Sequence, residues 1–325
     1  MRAYTLGLYE KAMPDTLSWK EKFLAAKEAG YDFVEISIDA SEAKISRVYM
    51  PKEERLELVK TMYETGMPLH TMNMSSLTKY SLGNDKPEYV ARGMEILKKA
   101  IELAGDLGVR IVMIPGYDVF YEPSDFETKK RFLENLKIAV KWAEKAGVVL
   151  AFETMENEFM NTVEKAMKYV TLVNSPYLKI YPDSGNLNNA AINYKNDVIE
   201  DFELGRGHVV ALHMKETVPG KFREIPYGTG NVNFEFATTN LYDFVVYLQS
   251  ESRWRSAFTQ IYVYPDNKVD LVPRVGDFVV KMGSLERYES KLEKLDKFLK
   301  VLPKYHSWDK YSVINLEFKD QVVCR

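Results

Sequence analysis

The chain has 325 residues, enough for one large barrel domain or two ordinary ones, and enough to bury a core that needs no disulfide or structural metal. Hydrophobic residues at 46% and charged residues at 28% mark a soluble globular protein, and a net charge of -3 from 44 basic and 47 acidic residues argues against a nucleic-acid or polyanion binder. A single cysteine, Cys324, excludes a disulfide within these residues. With no signal-peptide layout and no apolar run near the ~20 residues of a membrane span, the expectation is a cytoplasmic protein.

Strand-like apolar runs alternate with helix-length amphipathic segments, the pattern of βαβ units on a parallel sheet. Tyr4–Tyr9 reads as a strand and Ser18–Ala29 as its helix, with Ser18 as N-cap and Gly30 as stop. Tyr31–Ile38 and Lys52–Thr65, closed by Gly66, form the second unit. Pro68–Asn73 and Lys86–Leu107, closed by Gly108, form the third. Val109–Ile114 with Ser124–Ala146, closed by Gly147, is the fourth, and Val148–Thr154 with Asn161–Val173 the fifth. Leu178–Pro182 opens a sixth unit with a poorly defined helix. His208–Met214 is a seventh strand, followed by a Gly-rich loop and a helix at about Phe234–Gln249. Phe258–Tyr264 and a helix within Ser284–Leu302 make an eighth. Eight units in order favour a closed (β/α)8 TIM barrel over a doubly wound sheet. No linker divides the chain, so one barrel domain is expected through residue 303, with residues 304–325 as an extension. The charge-rich run Leu285–Lys300 reads as a solvated helix face.

Alternate side chains of a barrel strand point inward. In Tyr31–Asp39, Val34, Ile36 and Ile38 form the helix-facing row and Glu35, Ser37 and Asp39 the inward one. The same parity turns His213 and Lys215 inward. Glu153 ends the fifth strand and Asp183 the sixth. Active sites of these barrels lie at the C-terminal ends of the strands, where all of these residues fall. Buried charges need partners or a metal. Taken singly, His213 reads equally as a hydrogen-bonded core residue, Asp183 as a helix N-cap, and Glu153 as a salt-bridge partner of Lys215. Together, two carboxylates and an imidazole on successive strands suit Mg²⁺, Mn²⁺, Co²⁺ or Zn²⁺.

At these residues the sequence resembles the L-ribulose-5-phosphate (L-xylulose-5-phosphate) 3-epimerase family, within the xylose-isomerase-like barrels. The matching segments include Leu6–Met13, Tyr31–Asp39, Pro115–Glu122, Glu153–Asn161, Tyr181–Leu187, Ala211–Thr217 and Pro219–Gly230. They run in order to about Phe234, and the last quarter departs. The resemblance implies a metal site of two glutamates, an aspartate and a histidine, with Glu153, Asp183 and His213 in three of the places. The fourth belongs on the eighth strand, where Phe258–Val263 has no acid. Ungapped, Ile261 falls on that place; a one-residue shift, which strand parity favours, puts Gln260 there as a weak metal ligand. The implied reaction is C3 epimerisation of a ketose 5-phosphate through an enediolate, with a proton removed on one face and returned on the other. Glu153 is the expected base, and one base in place of two predicts weak epimerisation. Ser75–Leu77 also replaces a family pattern containing a histidine, and four histidines in all exclude the related multi-zinc endonucleases.

Lys215, Arg223, Asn186 and Glu35 are the expected substrate-binding residues, for sugar oxygens or phosphate. Gly228 and Gly230 offer backbone N–H groups to an anion. The expected partners are a small sugar phosphate and a second copy of the chain, with no nucleic acid and no membrane. Two alternatives stand beside the epimerase reading. One is a degenerate barrel that binds a sugar phosphate or a protein partner with little or no catalysis. The other is a ketose–aldose isomerase on the same metal.

Overall fold

The structure is a computed structural model that describes residues 5–232, 247–248, 251–255, 257–263, 268–276, 278–305, 311–318 and 321–324. Its residues fall into two compact units, Arg2–Val232 and Asn233–Arg325 together with Met1.

The first unit is a run of βα repeats. Strands β1 (Gly7–Tyr9), β2 (Phe33–Ser37), β3 (Leu69–Asn73), β4 (Ile111–Pro115), β5 (Val149–Glu153) and β6 (Leu178–Ile180) pair in parallel, each beside its predecessor. A seventh segment continues the order through parallel bridges from Val209 to Ile180 and from His213 to Asp183. Helices lie between the strands for reasons legible in the chain. Ser18 and Glu21 form a reciprocal capping box at the start of Trp19–Glu28. Lys52–Thr65, Pro87–Leu107 and Phe126–Ala146 each end on a left-handed glycine, Gly66, Gly108 and Gly147. The helix of the sixth repeat, Ser184–Tyr194, is better formed than the sequence suggested.

Parity along the strands sorts the core into two layers. Val34, Ile36, Met72, Val112, Ile114, Leu150, Phe152, Leu178 and Ile180 pack outward onto helix residues such as Phe23, Ile96, Ala100, Phe132 and Leu136. The opposite rows meet inside, where Met113, Ala151 and Tyr181 cluster with Ile111, Val210 and Ala211. Continuing these inner rows toward the strand ends leads to Glu153, Asp183 and His213.

The second unit corrects two expectations. Strand β7 (Phe258–Val263) is not a parallel barrel strand: it pairs antiparallel with β8 (Val269–Pro273), with Gln260 opposite Val272. β8 pairs antiparallel with β9 (Val279–Gly283). β10 (Val313–Asn315) then lies parallel to β9, and β11 (Val323–Cys324) antiparallel to β10. Gln260 therefore belongs to a five-stranded sheet of its own and not to an eighth strand of the first sheet, so the strand parity that made it a metal ligand does not apply. Period-2 patterning reports burial on a strand, not the direction of its neighbour.

The second correction concerns domain organisation. Residues beyond 303 are not an appendage to a barrel, because they supply β10 and β11 to this sheet. Helix Tyr288–Tyr305 connects β9 to β10. It buries Leu292 and Leu295 in a separate core with Val269, Leu271, Val280, Met282, Ile314 and Leu316. The single barrel domain expected through 303 gives way to a division at 232/233. Among the described residues no eighth strand joins the first sheet. The helix expected at Phe234–Gln249 lies outside the described residues, apart from a helical Tyr247–Leu248.

Candidate metal centre and active site

His213 organises the C-terminal mouth of the first unit. Its Nδ1 lies 2.8 Å from Glu153 Oε1 and its Nε2 lies 2.9 Å from Glu35 Oε1. The Tyr181 ring packs against the imidazole with centroids 4.6 Å apart. Ligand atoms of Glu153, Asp183 and His213 all lie within 4.8 Å of one another. The three expected ligands on strands five, six and seven therefore converge.

The neighbours explain how so much charge is tolerated. Asp183 N-caps the helix Ser184–Tyr194 by accepting from Asn186 N at 2.8 Å, and Lys215 Nζ stands 3.3 Å from its other oxygen. Asp183 is thus the helix N-cap that the sequence allowed, and Lys215 pairs with Asp183 rather than with Glu153. Burial pushes the Asp183 carboxyl above its ordinary pKa, and Lys215 offsets only part of that. Burial alone would strip the charge from His213, yet Glu35 and Glu153 hold its pKa well above the usual histidine value. Glu35 is buried too, but His213, Thr71 and Tyr181 keep its carboxyl below the ordinary value. His213 must be neutral to act as a ligand, and once its imidazolium proton is gone Lys215 is the cation beside Asp183 among the described residues, so a bound divalent ion would take over the charge balance with Glu35, Glu153 and Asp183. Oxygen and imidazole donors fit a divalent cation.

The expected substrate contacts divide. Asn186 is buried, with its Oδ1 accepting from Lys215 Nζ at 2.7 Å and its Nδ2 donating to the Thr154 carbonyl at 2.7 Å, so it aims Lys215. Glu35 is buried with both oxygens engaged, one by His213 and one by the Thr71 hydroxyl at 2.6 Å. Lys215 is partly open, and Arg223 is exposed in the following loop, near enough to bear on the Tyr121 hydroxyl. The expectation for Gly228 and Gly230 is corrected. Their amides serve Glu216, a buried carboxylate that also accepts from Thr217 N and Val232 N, both at 3.0 Å.

Three residues escaped the sequence reading. Tyr117 and Tyr121 both donate hydroxyls to Glu156, in the loop after β5. Tyr121 does so from a left-handed backbone (φ 50°), a conformation that costs energy in a tyrosine and concentrates at functional sites. Aromatic residues in the matched segment Pro115–Glu122 and an acid three residues after Glu153 were the only signals in the sequence.

Parallel βα repeats and a carboxylate–imidazole cluster at the strand ends define the class, and residues 23–245 match the family described as the xylose isomerase-like TIM barrel. Residues 218–325 match a second family, FtsQ/DivIB, C-terminal related, and the two matches overlap across the 232/233 division. L-ribulose-5-phosphate 3-epimerase UlaE from Escherichia coli is 41% identical over 230 residues, covering 71% of this chain and 80% of that protein, and the Shigella sonnei protein of the same name matches equally. The chain belongs to the L-ribulose-5-phosphate 3-epimerase family. Solved structures share the fold. An L-ribulose 3-epimerase has a TM-score of 0.56 and 19% identity over 73% of this chain and 77% of its own. The 3-keto-D-glucoside 4-epimerase YcjR from E. coli has 0.57 and 18% over 71% and 84%.

Proposed function

We propose that the chain interconverts L-ribulose 5-phosphate and L-xylulose 5-phosphate by removing and returning the C3 proton. The observation that supports this reading most is the convergence of Glu153, Asp183 and His213 in a chain 41% identical to L-ribulose-5-phosphate 3-epimerases. In this reading Glu153, Asp183 and His213 hold a divalent cation, Zn²⁺, Mn²⁺, Mg²⁺ or Co²⁺. The cation supplies Lewis-acid stabilisation of charge developing on the sugar oxygens.

The chain's own groups do the rest. Glu153, at the open end of β5, takes the proton from C3. Lys215, aimed by Asn186, hydrogen-bonds a sugar oxygen near the reacting carbon. Arg223, on the loop at the mouth, suits the bidentate geometry of a phosphate. Tyr181 is buried and Tyr9 half-buried, and desolvation drives both hydroxyl pKa values upward, so they act as neutral donors and not as bases. The protein works without a membrane or nucleic-acid partner, in the cytoplasm, as a homodimer.

The test is conversion of L-ribulose 5-phosphate to its C3 epimer by protein loaded with each metal in turn. Glu153→Gln is expected to lower kcat about 10²–10⁴-fold, the contribution of a positioned acid or base. Retained turnover in that variant would remove Glu153 from the chemistry. An aldose product would favour the isomerase alternative.

A further inference from the structure

Glu35 is placed to act on the metal centre without touching the metal. Its carboxylate is buried on β2, 3% exposed, and neither oxygen is free. Oε2 accepts from the Thr71 hydroxyl on β3 at 2.6 Å, and Oε1 lies 2.9 Å from His213 Nε2. An ionised carboxylate can only accept, so the nitrogen facing it must carry hydrogen. The opposite nitrogen, Nδ1, faces Glu153, whose side chain is the more open of the two acids at 13% against 4%. A neutral imidazole has one N–H to place. Glu35 is pinned by a neighbouring strand, whereas Glu153 ends its strand and can turn. Tyr181 packs against the ring at a tilt of 53°.

We propose that Glu35 is a positioning residue that fixes His213 in the Nε2–H tautomer and so presents Nδ1 to the cation shared with Glu153 and Asp183. Thr71, Glu35 and His213 form a relay across three strands of the barrel interior, and the hydroxyl of Thr71 fixes the carboxylate that fixes the ring. This role rests on the metal-site reading above, and it replaces the substrate contact expected of Glu35 from sequence. Outer partners of this kind typically change metal affinity 10–100-fold when removed.

The test reads the metal and the ring, not turnover. Zn²⁺ affinity is measured by competition with a chromophoric chelator for the full chain and for Glu35→Gln, Glu35→Ala and Thr71→Val. The protonated nitrogen of His213 is read by ¹⁵N-imidazole NMR in the Zn²⁺-loaded protein. The expected result is Nε2–H in wild type and a loss of affinity of about 10–100-fold in Glu35→Ala. Glu35→Gln, which keeps an acceptor but no charge, should lie between, with the tautomer preserved. Thr71→Val should weaken binding less than Glu35→Ala. If Glu35→Ala does not fold, Glu35→Gln and Thr71→Val carry the comparison. Wild-type affinity in Glu35→Gln and Thr71→Val, or Nδ1–H in the loaded wild type, would overturn the assignment while leaving the metal site intact. No Zn²⁺ bound by wild type would overturn both this role and the metal-site reading. Tight Zn²⁺ binding with the Nε2–H tautomer but no epimerisation would count against the proposed reaction alone.

Discussion

Glu10, at the end of β1, is fully buried and survives as an anion because three cations reach it. Lys44 Nζ stands 2.6 Å, Arg47 Nη1 2.7 Å and Lys22 Nζ 3.6 Å from its oxygens, and Ser37 N donates at 3.0 Å. Burial opposes the charge, yet Arg47 and Lys44 hold the carboxyl below its ordinary pKa. A depressed folded pKa stabilises fully above the unfolded value, about 4.3, and the contribution is lost as pH falls through the folded value. Glu10→Gln strands buried cations and should cost about 3–5 kcal/mol at neutral pH. Urea denaturation should show the gap to wild type narrowing below about pH 4, because wild type then carries a protonated acid as well. A gap independent of pH would mean that packing, not charge, holds the site. Single residues differed in legibility for related reasons. Glu153, Asp183 and His213 could be read because strand parity and strand ends fix them in sequence. The engagements of Glu35, Asn186 and Glu10 could not, since their partners lie 36, 32 and 34 residues away and no local pattern reports them.

Between elements, one tight approach near the site is at Gly185, where Ser184–Tyr194 begins. A Cβ there would sit 2.6 Å from Thr217 Cγ2 and 2.9 Å from the Lys215 carbonyl. Gly185→Ala must push the helix from the seventh segment and should destabilise by about 1–3 kcal/mol. Because Asp183 caps that helix, metal affinity should fall with it; a melting temperature and affinity unchanged from wild type would show the two elements free to separate. Glu216 holds the next loop from beneath through backbone N–H groups. Glu216→Ala should expose residues 217–232 to limited proteolysis while the helices before them stay protected. Helices were the most legible elements, because capping residues and left-handed glycines mark their ends. The seventh segment was legible by parity although it pairs only through isolated bridges. The strand Phe258–Val263 was recognised as a strand and assigned to the wrong sheet, since its composition carries no record of its neighbours.

At the scale of the whole molecule, two units with separate cores belong to one chain, and the candidate ligands Glu153, Asp183 and His213 all come from Arg2–Val232. A ligand that binds only the folded state stabilises by about 2.7 kcal/mol at 100 times its Kd. Added Zn²⁺ should therefore raise hydrogen-exchange protection in β2, β5, β6 and the seventh segment, with residues 269–324 unaffected. The sequence carried the repeat pattern of the first unit plainly. It missed the second because a parallel β-helix-β crossover, β9 to β10, resembles one more barrel unit when only the order of elements is read. The most direct test of the proposed chemistry is deuterium incorporation at C3 of L-ribulose 5-phosphate in D₂O, followed by NMR with metal-loaded, chelator-treated and Glu153→Gln protein. With Glu153 as the proposed base, the predicted result is C3 deuterium in recovered substrate that requires both the metal and Glu153 and outpaces formation of the epimer. Metal bound at the site with no C3 exchange, or exchange undiminished in Glu153→Gln, would contradict it.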